Sequence, residues 1–327
     1  SLHDALPILT SDILYNIPLL LEETKMAEYV MERLGLVQKM EPELAEWAEL
    51  IAEIRRPKAT IRIALVGKYV ELHDAYMSVR EALYHAGISN DRQVEIEWIY
   101  SGDLEKGKYW ERLQDVSGVV VPGGFGERGI EGKIKVARWA RENKVPYLGL
   151  CLGMQVMCIE LARSLLGNDE ANSTEFDRNC EHPVISLMPD QHEMTEMGGT
   201  MRLGAYPARL TPGSKAFAAY GQDTISERHR HRWEFNNAYR DLLNKGGMMF
   251  SGLSPNGRLV EISELREHPF MLGSQFHPEF KSRPNRPHPL FDSFMAAAVE
   301  YQENGQSSTI HRNESPEEGE EQVPSAA

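Results

Sequence analysis

Val145-Pro146-Tyr147-Leu148-Gly149-Leu150-Cys151-Leu152-Gly153-Met154-Gln155 is the stretch that governs how the rest of this 327-residue chain is read. Val145 to Leu150 is an apolar run of strand length, and Val156, Met157, Ile159 and Leu161 continue beyond it in a helical pattern. Between them stands Gly149-x-Cys151-x-Gly153, a small-x-nucleophile-x-small turn from strand to helix. Glycines let such a turn bend sharply, so Cys151 is expected to stand exposed above a sheet. The start of the following helix carries partial positive charge, which favours a thiolate. Most free cysteines are small core residues, and Cys158, between Met157 and Ile159, and Cys180, which has no elbow, are read that way.

Outward from the elbow, β-branched runs alternate with helical segments from about Lys58 to Gln302, the pattern of a parallel sheet covered on both faces. Ile61 to Val66, Val94 to Tyr100, Gly118 to Pro122 and Val145 to Leu150 are the expected strands, with helices over Ala75 to Ala86 and Gly129 to Glu142. After Cys180 shorter strands are expected at Val184 to Met188, Thr200 to Ala208, Arg232 to Asn236, Met248 to Leu253, Leu259 to Ile262 and Met271 to Gln275. A closing helix is expected over His288 to Glu300. The fold class is therefore α/β, an open, mostly parallel sheet with helices on both faces and a strand-rich second half.

A thiol nucleophile needs a base and a group that orients it. Gln275-Phe276-His277-Pro278-Glu279-Phe280 supplies both. In extended chain residues two apart share a side, so His277 and Glu279 are expected to face one cleft while Phe276 and Phe280 face away. His-x-Glu alone is read as an exposed structural pair; beside an elbow cysteine in an α/β chain it is read as a base and its orienting acid. Acyl transfer also needs backbone N–H groups aimed at a developing oxyanion, and Pro122-Gly123-Gly124-Phe125-Gly126 follows a strand closely enough to bring them. Neither GxGxxG nor GxxxxGK[ST] occurs there, which argues against a phosphate loop.

Composition bounds the function classes. No stretch approaches the ~18 to 20 consecutive apolar residues that span a bilayer, and the first residues lack a secretory pattern. Cys151, Cys158 and Cys180 have neither CxxC spacing nor an even count, which suits a reducing compartment, so a cytoplasmic location is expected. A net charge of -14 disfavours binding to nucleic acid polymers. In Arg228-His229-Arg230-His231-Arg232 the arginines would repel a metal cation, and no metal site is expected. Read as an alternating strand, the run puts its three arginines on one face as an anion-binding wall.

The ends differ from the middle. Asp12 to about Arg56 reads as two amphipathic helices, one stopped by Gly35 and one following Pro42. Residues 303–327 are polar, acidic and almost without large apolar side chains, and are expected to be a disordered tail.

Gly-Gly-Phe-Gly at 123–126, Cys-Leu-Gly-Met-Gln at 151–155 and Phe-His-Pro-Glu-Phe at 276–280 together resemble the class I, triad-type glutamine amidotransferases, a flavodoxin-like fold. Gly67-Lys68-Tyr69, Asp74-Ala75-Tyr76, Asn172-Ser173-Thr174-Glu175-Phe176, the 228–232 run and Pro287-His288-Pro289-Leu290-Phe291 narrow the resemblance to the CTP synthase family. The resemblance implies a glutaminase with catalytic Cys151, His277 and Glu279, which forms a Cys thioester with L-glutamine and passes ammonia to a synthetase domain that aminates UTP. It implies oxyanion and substrate contacts at Gly124 and Leu152, contact with glutamine at Gln155, and capture of its charged end by Glu175 and Arg232. That capture is sound chemistry, since an α-ammonium seeks a carboxylate and an α-carboxylate a guanidinium.

The resemblance further implies a homo-oligomer for the complete protein. ATP and magnesium would belong to the synthetase domain, and GTP would act as an allosteric activator. Residues 58–302 are expected to be the amidotransferase domain. Residues 1–57 resemble only the end of the synthetase domain and its linker helices, and 1–10 match nothing expected of the family.

Overall fold

The computed structural model describes residues 11–37, 43–187 and 201–305. The expectations for 1–10 and for the tail beyond 305 lie outside the described residues, as do the expected strand ends Met188 and Thr200. The strands are β1 Ala59–Gly67, β2 Arg92–Tyr100, β3 Gly118–Val121, β4 Tyr147–Leu150, β5 Ala171–Ser173, β6 His182–Ser186, β7 Arg202–Leu210, β8 Thr224–His231, β9 Glu234–Phe235, β10 Met248–Leu253, β11 Val260–Leu265 and β12 Met271–Ser274. Nine form one sheet in the order β2-β1-β3-β4-β12-β11-β10-β7-β8, and β5, β6 and β9 form a smaller one. From β2 to β12 the neighbours run parallel, and from β12 to β8 antiparallel.

The parallel part is apolar on both faces because helices cover both. In β1, Ile61, Ile63 and Leu65 pack into one core with Val79 and Leu83 of the helix Met77–Ser89 and Leu290 and Phe294 of the helix Pro289–Glu303. The alternate residues Ala64 and Val66 face the other core, with Ile134 and Ala137 of the helix Ile130–Glu142 and Val156 and Ile159 of the helix Leu152–Leu166. The period-2 alternation of a strand thus feeds two cores from one run. Each fully buried Ile or Leu contributes roughly 1.5–3 kcal/mol.

Several elements depart from expectation. The first amphipathic run is broken into Ile17–Glu23 and Met26–Arg33, because Lys25 takes a left-handed φ of 57°. The helix expected from Ala75 starts at Met77, after a 3-10 turn over His73–Tyr76. The strand expected over Arg232 to Asn236 shrinks to β9, and β5 and the first half of β8 were not expected. Among the described residues no helix is long and apolar enough to cross a membrane.

The strands β1, β3, β4 and β12 end side by side at one edge of the sheet. Lys68, the Pro122-Gly123-Gly124 turn, Cys151 and the Gln275-Phe276-His277 segment follow directly from those ends. The carboxyl edge of a parallel sheet is where such folds gather their chemistry.

Candidate active site

Cys151 sits between β4 and the helix Leu152–Leu166 as that helix's N-cap, with φ 51° and ψ −99°. A non-glycine residue held at positive φ costs roughly 1–3 kcal/mol and persists only where its surroundings enforce it. Here Cys151 N–H donates to Ser274 O at 2.7 Å, and Cys151 O accepts from the N–H groups of Met154 and Gln155 at 3.1 and 3.3 Å. The flanking glycines act differently from expectation, since neither has positive φ. They are needed for space: a Cβ at Gly149 would lie 2.5 Å from Gly153 C, and one at Gly153 would lie 2.0 Å from Val121 O. The expected exposure of Cys151 is also corrected. It is 6% exposed and forms the floor of a cleft.

That cleft, about 570 Å³, is lined by Gly123, Gly124, Phe125, Cys151, Gln155, Glu175, Arg230, Arg232, Trp233 and His277, with Tyr69, Ala75, Tyr76, Met201 and His231. Of the expected site residues, Glu279 and Leu152 stand behind its surface. Glu279 Oε1 lies 2.7 Å from His277 Nδ1. An ionised carboxylate only accepts, so Nδ1 carries the proton of this bond and Nε2 is left to Cys151. The pair meets, but not in extended chain. β12 stops at Ser274, and Glu279 lies in the 3-10 turn Pro278–Lys281 that His277 caps. Phe276 is accordingly buried while Phe280 is 57% exposed, so the two do not share a side.

Burial alone would lower the His277 pKa, but hydrogen bonds to Cys151 and Glu279, with their negative charge, override it and push it up to about 11. Burial, followed by the Arg202 guanidinium, instead holds His229 near 2 and His231 near 3. Those two are neutral neighbours and His277 is the charged imidazole of the cleft.

The Gly123-Gly124 turn closes on Cys151. A Cβ at Gly123 would lie 2.9 Å from His277 Cε1 and 3.6 Å from Cys151 Cβ. Leu152 is buried, and as the first residue of its helix its N–H lacks an intrahelical acceptor. Gln155 Nε2 donates to Trp233 O and to Gln275 Oε1, both at 3.1 Å, and Gln275 Nε2 in turn reaches Cys151 Sγ at 3.6 Å. Glu175 Oε1 accepts from Gly126 N–H at 2.8 Å. Burial raises the Glu175 carboxyl's pKa, opposed by that bond and by Lys68, Arg232 and Lys133. Arg232 lies one residue past β8, so the expected three-arginine face holds for Arg228 and Arg230, while Arg232 turns out of the strand and into the cleft wall.

Sequence reasoning missed Gln275, Trp233 and the fully buried Lys133. Tyr76 enters the sequence reading only within Asp74-Ala75-Tyr76. Its hydroxyl accepts from Lys68 N–H at 3.1 Å and Tyr69 N–H at 3.3 Å, and it occupies the space a Cβ at Gly67 would need. Lys133 had a signal available, since it falls on the apolar stripe Ile130, Ile134, Ala137 of its helix.

The family described as glutamine amidotransferase class-I matches residues 71–297. A CTP synthase of Roseiflexus sp. (strain RS-1) is 59% identical over 294 residues, covering 90% of this chain and 53% of the relative. One of Dehalococcoides mccartyi (strain CBDB1) is 54% identical over 301 residues, covering 92% and 55%. The chain therefore spans about half the length of these relatives. Among solved structures, the glutaminase domain of Trypanosoma brucei CTPS with bound acivicin matches with a TM-score of 0.69 and 39% identity, covering 74% of this chain and 94% of that one. The chain belongs to the class-I glutamine amidotransferase family and, within it, to the glutaminase domains of the CTP synthase kind.

Proposed function

We propose that this chain hydrolyses L-glutamine through a thioester on Cys151 and, in the complete protein, hands the ammonia to a CTP synthase synthetase domain for the amination of UTP. The observation that carries the reading is the elbow cysteine on the cleft floor beside an imidazole oriented by Glu279 at 2.7 Å, with Glu175 and Arg232 in the same wall.

The steps follow from the charges. His277 holds the proton of Cys151, and the thiolate adds to the side-chain amide carbon of glutamine. The oxyanion is met by backbone N–H groups at Gly124 and Leu152. His277 then protonates the departing nitrogen, the C–N bond breaks, and ammonia leaves a thioester. Water, deprotonated by His277, adds to the thioester, and its collapse releases glutamate and regenerates the thiolate. Glu279 keeps Nδ1 protonated and stabilises the imidazolium without touching substrate. Glu175 takes the α-ammonium of glutamine, Arg232 its α-carboxylate, and Gln155 lies along the bound side chain.

ATP and magnesium would serve the synthetase domain, and GTP would act as an effector. The complete protein would be a cytoplasmic homo-oligomer. Glutamate release measured for the chain alone and with added synthetase domain tests the reading. No release in either case would reject it. Stimulation by an anthranilate or guanine-nucleotide synthetase domain instead would reassign the acceptor.

Two variants probe the roles. Glu175→Gln removes the counter-charge for the α-ammonium, so KM for glutamine should rise about tenfold or more while kcat changes little. A fall in kcat at unchanged KM would place Glu175 elsewhere in the reaction. Glu279→Gln keeps the shape but loses the charge that holds the imidazolium, and kcat should fall about 10²-fold or more, short of the loss on removing the thiol. A loss as deep as removal of the nucleophile would give Glu279 a more direct part.

A further inference from the structure

Lys133 is wholly enclosed, and its ammonium has no hydrogen-bond acceptor. A buried amine left unpaired costs several kcal/mol, so its surroundings must explain it. A Cβ at Gly124 would lie 3.5 Å from Lys133 Nζ and 3.4 Å from Leu152 Cδ2. The turn is thus held between two groups: Gly123 lies against His277 and Cys151, and Gly124 lies on the lysine.

The charges around Lys133 are few. Lys68, at the end of β1, repels it, and its own ammonium is engaged by Phe125 O and by the rings of Phe125 and Tyr69. Cys151 and Glu175 attract it. Glu175 is already bonded to Gly126 N–H and faces Arg232. On the helix Leu152–Leu166, Glu160 is paired with Arg138 and Arg141 and Arg163 with Glu131, while Asp103 and Glu105 of the helix Ser101–Glu105 are not among the groups that act on Lys133. Across the turn stands the His277 imidazolium. Of the two groups that attract Lys133, Glu175 is thus already engaged, which leaves Cys151.

We propose that Lys133 is a positioning residue of the glutaminase: from beneath Gly124 its ammonium stabilises the Cys151 thiolate and the oxyanion built on it, through the turn and without touching glutamine. The proposal rests on the glutaminase reading. Burial, with Lys68 second, lowers the lysine's pKa to about 7, while Cys151 and Glu175 work the other way. Near neutral pH the amine thus stands close to the balance between its two forms, and negative charge on the far side of Gly124 draws it toward the ammonium.

The same burial sets the sign of its effect on stability. Its folded pKa, about 7, lies below the unfolded 10.5, so its charging penalises the fold fully below pH 7 and not at all above 10.5. Removing the charge should therefore stabilise the chain at pH 7 and leave it unchanged near pH 11.

The test is Lys133→Met, with Lys133→Gln as a second neutral variant, in the full chain. For glutamine hydrolysis kcat should fall about tenfold with KM within about twofold, and the acid limb of the pH profile should move up by about one unit. Alkylation of Cys151 by iodoacetamide, followed by peptide mapping, should slow at pH 7, and melting temperature should hold or rise. A lysine with no part at Cys151 would leave the limb in place whatever the melting temperature does; an unmoved limb, unchanged kcat and alkylation, or failure of both variants to fold overturns the proposal. Absence of glutaminase activity in the parent would reject the reading of function instead, and the alkylation rates would still decide the part of Lys133.

Discussion

Replacing Cys151 by serine should remove glutamine hydrolysis by about 10³-fold or more while leaving the fold intact. Serine is smaller than cysteine and takes the same backbone, so the 2.7 Å bond from residue 151 N–H to Ser274 O and the left-handed φ of 51° can both persist. What goes is the charge. His277 is held cationic against its burial by hydrogen bonds to Cys151 and Glu279. A hydroxyl does not ionise near neutral pH, so burial regains weight and the imidazole shifts toward its neutral form, beside a nucleophile far weaker than a thiolate. Glutamate release within a few-fold of the parent, with an unchanged melting temperature, would contradict the assignment. An NMR titration of His277 in the variant that still showed a pKa near 11 would contradict the thiolate as the source of its charge.

The parallel half of the fold was open to reading because both of its faces are buried. A strand such as β1 must then be apolar throughout, and Ile61 to Val66 announces itself without help from its neighbours. The antiparallel half is coded more weakly. β8 runs from Thr224 to His231 with every second residue buried, but the buried set is Ile225, Glu227, His229 and His231. Three polar side chains on the inner face hide a strand from any apolar count. They are tolerated because Glu227 meets Lys281 and His288, and His229 meets His231. The break at Lys25 was hidden for the opposite reason, because helical spacing continues across it while a single left-handed residue resets the axis.

The candidate site residues are legible as types, and the cleft does gather Cys151 and His277. Their geometry was less so. Alternation predicted that His277 and Glu279 share a side of a strand, whereas the chain leaves β12 at Ser274 and closes the pair through a 3-10 turn beginning at Pro278. Two residues apart permits contact in either conformation, so the right contact was reached by the wrong path. Gln275 and Lys133 are not legible as site residues because each comes to the surroundings of Cys151 only through the fold. Gln275 does so from the end of β12 and Lys133 from below the glycine turn.

The elbow's dependence on space leads to the last expectation, at Gly153. Gly153→Ala adds one methyl group, and helix propensity alone would make alanine the better residue inside the helix Leu152–Leu166. Sterics reverse that preference. The methyl carbon would lie 2.0 Å from Val121 O, 3.0 Å from Val121 C and 3.3 Å from Val121 Cβ. The first of these is more than an ångström inside contact and falls on backbone, which cannot swing aside as a side-chain tip can. Relief requires the helix to move off β3, yet β3 leads into Gly123 and Gly124 and the helix begins at Cys151. Stability and site geometry should fail together. We expect a loss of about 3 kcal/mol or more, corresponding to a melting temperature lower by roughly 6–12 °C for a domain of this size, with glutaminase activity reduced at least tenfold at temperatures where the chain remains folded. Gly167→Ala is the control. It ends the same helix at φ 70° with nothing within 4 Å of an added Cβ, so its cost is conformational only, about 1 kcal/mol. Its activity should be unchanged. If the two variants melted alike and both kept full activity, the close approach of the helix to β3 could not be what holds the nucleophile in place.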